Sequence, residues 1–94
     1  MKKFVFLAHG DIDQSPEARE AHMAWWAAME PHVVDSGNPL FNGRDVSRDG
    51  SVVEIADAAG ARGYSIIQAE SIEDAIALLE LSPMHMWFYE AKPM

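Results

Sequence analysis

The sequence predicts one α+β domain, an antiparallel sheet with two helices on one of its faces. Three observations in the 94 residues carry that prediction. Two segments open with a helix-capping serine and continue with apolar residues at steps of three and four. The stretches around them are short and β-prone. The chain has the length of a single domain over residues 1–94, and a chain this size buries only about two-thirds of its unfolded surface.

The elements follow in order. Lys3 to His9 is a continuous β-prone run ended by Gly10 and Asp11. It is apolar on both alternating sets, Phe4/Phe6/Ala8 and Val5/Leu7, as in a strand covered on both faces. After the polar Asp11–Gln14, Ser15-Pro16-Glu17 marks a helix start: a serine cap, a proline at the first helical position and an acid at the positive end. The helix is expected from 16 toward Gly37, with Ala18, His22, Trp25, Met29 and His32/Val33 on its inner face and a kink or break at Pro31. Asn38-Pro39 opens a loop. Gly43 to Arg48 and Ser51 to Asp57 read as a hairpin joined at Asp49-Gly50, a dipeptide that tolerates positive φ. A turn from Ala58 to Gly63 leads to a strand, Tyr64 to Glu70. Ser71-Ile72-Glu73-Asp74 starts the second helix, which carries Ala75, Ile76, Leu78, Leu79 and Leu81 and stops before Pro83. His85 to Ala91 closes the chain as a strand.

The order β-α-β-β-β-α-β is that of a ferredoxin-like split βαβ unit with a hairpin in its middle. Two helices cover one sheet face, yet the first and last strands are apolar on both, so a second copy of the chain is expected on the open face. Gln68, Glu70 and Glu90 are expected at the rim of that homodimer interface.

Composition narrows function. Apolar residues are 49% and charged residues 23%, a globular balance that excludes disorder. Seven Lys and Arg against fifteen Asp and Glu give a net charge of −8, which repels phosphate backbones and anionic membranes. No apolar run approaches the roughly 20 residues of a membrane span. The first ten residues have too short an apolar core for a signal peptide and read as a strand, so a cytoplasmic location is expected. The absence of cysteine removes thiol nucleophiles, thiolate metal sites and disulfides. The four histidines lack metal-ligand spacing, and no dinucleotide or flavin fingerprint is present. No metal and no cofactor are therefore expected.

His22 is the first candidate for chemistry. Its place on the stripe of Ala18, Trp25 and Met29 turns the imidazole toward the sheet, and imidazole moves protons near neutral pH. Arg19, one turn earlier, is placed to hold an anionic group of a substrate. His9 and Asp11 close the first strand, where a carboxylate can orient an imidazole. Trp25 can wall a pocket for a planar ring, and Asp35 is a weaker substrate-binding candidate, as is Asp57. Each has a plainer reading: a core histidine, a solvated arginine, an ordinary strand-end turn, a core aromatic. His32 and His85 read as structural; Gly60-Ala61-Arg62-Gly63 can form an anion nest but lacks every other part of a phosphate loop, and its plainer reading is a turn.

The chain resembles the YCII-related group of small dimeric α+β-barrel proteins, which includes a branch named for a DGPF motif. The resemblance spans nearly the whole chain. It rests on Phe4–Ala8 ending in Gly10-Asp11, Ser15-Pro16-Glu17 leading to Arg19-Glu20-Ala21-His22, and Asp49-Gly50. It continues through Gly63-Tyr64-Ser65-Ile66-Ile67, Ser71-Ile72-Glu73-Asp74-Ala75 and Tyr89-Glu90-Ala91-Lys92-Pro93. It departs where Asp57-Ala58-Ala59 replaces the DGPF motif and where Ser82-Pro83-Met84 replaces an Asp-Pro-aromatic motif, so the aspartate of the family's His–Asp pair is absent. The resemblance implies a homodimer and a cofactor-independent lyase or isomerase moving a proton on an aromatic or lactone-like small molecule. The alternative is a non-catalytic dimeric module that binds a small ligand or accompanies a regulatory protein.

Overall fold

The computed structural model describes residues 1–10 and 13–93. Strand β1 (Lys2–His9) is followed by helix α1 (Pro16–Met29), a 3-10 turn (Glu30–His32) and strand β2 (Val33–Pro39). A small hairpin of β3 (Arg44–Val46) and β4 (Val52–Glu54) comes next, then a 3-10 turn (Asp57–Ala59), β5 (Ala61–Ala69), α2 (Ile72–Leu79) and β6 (Met86–Ala91). The main sheet has the order β2-β5-β1-β6 with every neighbouring pair antiparallel, the arrangement of a ferredoxin-like fold.

Both helices begin where the serines place them. The Ser15 hydroxyl accepts from the Ala18 amide at 3.2 Å, and the Ser71 hydroxyl from the Asp74 amide at 3.1 Å. α1 ends at Met29 because Pro31 has no amide hydrogen to continue the ladder, and the chain tightens into the 3-10 turn instead.

The second strand of the sheet corrects the expectation that the helix runs toward Gly37 and that Asn38-Pro39 is loop. Val33–Pro39 pairs with β5, from Val33↔Ile67 to Pro39↔Gly63, with register breaks on either side of Asp35. Gly37 makes the irregular strand possible. It adopts φ +73°, and a Cβ there would collide with the Tyr64 carbonyl. Pro39 is tolerated because β2 is an edge strand.

The predicted hairpin exists, with Gly50 at φ +91° in its turn, but it forms a separate two-stranded sheet. It pairs over three residues on each side, shorter than Gly43–Arg48 and Ser51–Asp57, because all its residues are exposed and no core face extends it. The segment Gly60–Gly63 is also corrected: β5 begins at Ala61, and the turn ends before it.

The core lies between the helices and one sheet face. Phe4, Phe6, Ile67 and Ala69 meet Trp25 and Met29 of α1 and Ala75 and Leu79 of α2, with Met86 and Phe88 packed alongside. The other face carries Val5, Leu7, Tyr64, Ile66, Trp87 and Tyr89 and meets no helix, as strand alternation requires. Glu90 pairs with Phe4 and so stands on the helix side, which corrects its expected place at the rim of the open face. The described residues extend 42 × 40 × 18 Å, the short axis spanning one sheet and one helix layer. Their radius of gyration, 14.6 Å, exceeds the ~12 Å of a compact domain this size, in keeping with the projecting hairpin. No helix among the described residues is long and apolar enough to cross a membrane.

Candidate functional site

A cleft of about 530 Å³ opens between α1, the C-terminal end of β1, the start of β5, the middle of β2 and the segment before β6. That volume falls in the range of small-molecule sites. Its aromatic and apolar lining comes from Phe6, Trp25, Trp26, Pro39, Met84 and Met86; its polar lining includes Asp13, Arg19, His22, Ser36 and Arg62.

The inner stripe of α1 brings His22 to this cleft, as its spacing with Trp25 and Met29 predicts. The imidazole is held by its own helix: the Trp26 indole N–H donates to His22 Nε2 at 2.9 Å across one turn. That bond selects one ring orientation, because a flipped ring would present carbon to the indole. With Nε2 accepting, the proton of the neutral imidazole sits on Nδ1. Nδ1 is screened from solvent and has no partner among the described residues. The expectation of an acid beside His22 therefore meets an indole instead.

Trp25 is 4% exposed and also lines the cleft. Its indole N–H donates to the Leu78 carbonyl at 2.9 Å, so its polar end fastens α1 to α2 and only its ring can face a ligand. Phe6 meets Trp25 edge-on at 5.7 Å between centroids, and Trp25 meets Trp26 at 5.2 Å, which makes a rigid aromatic wall. Opposite it, the buried Ser65 hydroxyl donates to the Ser36 carbonyl at 2.6 Å and pins β2 at its irregular stretch. Arg19 lines the cleft one turn before His22, on the exposed side of α1.

Three candidates, His9, Asp35 and Asp57, lie elsewhere. His9 follows the parity of Val5 and Leu7 onto the helix-free side, where its ring stacks on Trp87 at 3.9 Å and 22°. His85 meets it edge-on at 5.3 Å. His9 and His22 thus stand on opposite sides of the sheet and do not form one catalytic group. Asp35 pairs with Ile66, also away from the cleft, and its carboxylate accepts from the Gly37 amide at 2.8 Å as a turn residue. Asp11 lies outside the described residues. Asp57 is an exposed residue of a 3-10 turn.

Several polar residues of the lining escape a sequence reading, among them Asp13, Ser36, Arg62 and His85, the last of which reads as structural. Asp13 and Ser36 sit in stretches without regular periodicity, and Arg62 sits in what reads as a turn. For Arg62 the available signal is the glycine pair flanking Ala61-Arg62, which offers an anion nest or a turn without saying where the arginine points.

Comparison with family models finds no match, and comparison with curated proteins finds none either. Among solved structures, the fold matches a 5-chloro-2-hydroxyhydroquinone dehydrochlorinase from Burkholderia phenoliruptrix, determined in complex with 2,5-dihydroxybenzoquinone. The TM-score is 0.52 at 15% identity, over 98% of this chain and 94% of that one. The likeness is one of fold: the chain is a small α+β domain with the architecture of that dehydrochlorinase.

Proposed function

We propose that the chain is a small cofactor-independent enzyme of the YCII-related kind, a lyase or isomerase that moves a proton on an aromatic or lactone-like molecule. The observation that carries the reading is His22, set in the lining of an aromatic-walled cleft with an Nδ1–H that no described residue accepts. Leaving a buried donor unmet costs about 1–3 kcal/mol, and a ligand oxygen that accepts it recovers that cost. As the ring turns away from Trp26, the bare Nε2 takes a proton from one substrate atom and returns it to another, while Nδ1–H donates a hydrogen bond to the substrate oxygen where charge develops. Arg19 holds an anionic group of the substrate. The fold neighbour, a dehydrochlorinase in complex with 2,5-dihydroxybenzoquinone, supports a ring-shaped substrate for this architecture.

The working unit is a homodimer. The helix-free face presents Trp87 at 45% exposure and Tyr89 at 59%, beside Val5, Leu7 and Ile66. An aromatic patch of that kind on a soluble protein marks an interaction surface. Gln68, on the same face by its pairing with Lys3, belongs to its polar rim. Light scattering at micromolar concentration is expected to give twice the chain mass, and a monomer mass would overturn the dimer.

The enzymatic reading is tested with 5-chloro-2-hydroxyhydroquinone, followed by chloride release, and with 2,5-dihydroxybenzoquinone, followed by quenching of tryptophan fluorescence. Turnover that falls about 100-fold or more in His22→Ala supports proton transfer at this residue. One observation favours the second reading, a dimeric ligand-binding or regulatory accessory module: an indole, not a carboxylate, is bonded to His22. Saturable quenching without turnover of any ring substrate would decide for that module.

A further inference from the structure

A fault in the sheet puts a second guanidinium into the cleft. Along β1 and β5 the pairing runs residue for residue from Lys2↔Ala69 to Ala8↔Gly63 and then slips, so that His9 faces Ala61 and Arg62 has no partner across the ladder. A bulged residue leaves the strand's alternation and its side chain is re-aimed. Arg62 is half-buried and lines the cleft, with one guanidinium N–H donating to the Gly10 carbonyl at 3.4 Å. That contact is long and, among the described residues, uses one of the five donors of the guanidinium fork.

The charge around it makes this placement informative. The chain carries a net −8, yet two of its four arginines, Arg19 and Arg62, line the same cleft. They come from different walls, Arg19 from α1 and Arg62 from the start of β5. The lining includes one carboxylate among the described residues, Asp13, whose Oδ1 accepts from the Ser15 amide at 2.8 Å beside the positive end of α1. The ion pair among the described residues lies far along the chain, between Arg44 and Glu54 of the hairpin. Cations held in a partly buried cleft are favoured by an anionic occupant, and the planar fork of arginine matches an ionised oxygen on a ring.

We propose that Arg62 is a second anion-binding residue and that the cleft's ligand is a planar ring carrying two ionised oxygen groups, one held by Arg19 and the other by Arg62. The proposal rests on the small-molecule reading above and narrows its ligand class from any aromatic or lactone-like compound to a ring dianion. Trp25, Trp26 and Phe6 supply the apolar wall that such a ring lies against.

The test uses terephthalate and benzoate, one ring with two carboxylates or one, titrated calorimetrically into the full chain and into Arg62→Met and Arg62→Lys. The wild type is expected to bind terephthalate at least about 10-fold tighter than benzoate, the size of one charge-assisted hydrogen bond. Arg62→Met abolishes that preference while leaving benzoate affinity unchanged, and Arg62→Lys, with the charge but not the fork, retains part of it. A preference that survives in Arg62→Met overturns the role of Arg62, and equal binding of the two acids by the wild type overturns the dianion; the small-molecule reading stands in both cases. Should Arg62→Met fail to fold, the wild-type ratio and the lysine variant decide. Binding of neither acid nor of 2,5-dihydroxybenzoquinone removes both the proposal and the reading beneath it.

Discussion

Phe4 and Phe6, on one face of β1, are 0% and 3% exposed, whereas Trp87 and Tyr89, on the opposite face of β6, are 45% and 59% exposed. The same antiparallel ladder builds both faces, and both are apolar in sequence. The difference lies in what the chain itself can supply. Two helices carry enough apolar surface for one face, where Trp25, Met29, Ala75 and Leu79 close the core, and no helix among the described residues covers the other. Alternation therefore reports that a strand is apolar on both sides, while the count of helices reports how much of that surface the monomer can bury.

The largest expected effect separates the faces directly. Phe4→Ala removes a fully buried ring and should cost about 3–5 kcal/mol, seen as a lowered melting temperature at every protein concentration. Tyr89→Ala removes a similar ring from the open face. Its effect should vanish on dilution and show instead as a smaller mass in light scattering. Equal, concentration-independent losses at the two positions would break the comparison.

The next effect concerns β2, where the sheet is held by backbone geometry more than by burial. Gly37→Ala forces a Cβ against the Tyr64 carbonyl at a backbone angle that L residues rarely adopt, φ +73°. A cost of about 1–3 kcal/mol or more is expected. Amide exchange should accelerate along β2 and β5 and stay slow between β1 and β6. Uniform acceleration across the sheet would show that β2 is no weaker than the covered strands.

The same contrast explains what was legible in the sequence. Ser15-Pro16 and Ser71 announce their helices because capping is a local bargain between a hydroxyl and nearby amides, independent of the rest of the fold. His22 was readable as a cleft residue because a regular helix preserves its period of 3.6. Strand β2 was not readable. Its register slips on both sides of Asp35, so no alternation survives, and the helical spacing of Met29, His32 and Val33 runs straight through Pro31. Arg62 was hidden because the glycines around it read as a turn, whereas β5 begins at Ala61 and includes it. His9 erred the other way. Its parity with Val5 and Leu7 places it on the helix-free face against Trp87, whatever its nearness to Asp11 in sequence.

A smaller effect tests how the two helices stay joined over the covered face. Trp25→Phe keeps a ring against Phe6 but deletes the N–H that reaches the Leu78 carbonyl. The loss should be about 0.5–1.5 kcal/mol in a denaturant melt, well below that of Phe4→Ala. A loss as large as the core truncation would place the indole bond, not ring burial, at the centre of the helix layer.

The smallest effect lies in the hairpin, whose strand residues are all exposed and whose turn is held by its own hydrogen bonds. Asp49 Oδ1 accepts from the Ser51 amide at 2.9 Å and from the Ser51 hydroxyl at 2.7 Å. The amide first, and then the hydroxyl, hold the Asp49 carboxyl below the usual carboxylate range. A carboxyl lowered in the folded chain contributes its stability above the unfolded value, near pH 3.9, and loses it as the pH falls through the folded value. For a carboxylate in full solvent contact the consequence is local, a loosening of the turn in acid with the main sheet intact. Carboxyl NMR titration should therefore place the Asp49 midpoint below that of a free aspartate. Ser51→Ala should raise it part of the way, because the hydroxyl is lost while the amide still donates. A midpoint that does not move in Ser51→Ala would show that the backbone amide alone sets the turn, and a midpoint at the ordinary value in the wild type would show that the hairpin does not hold this turn in solution.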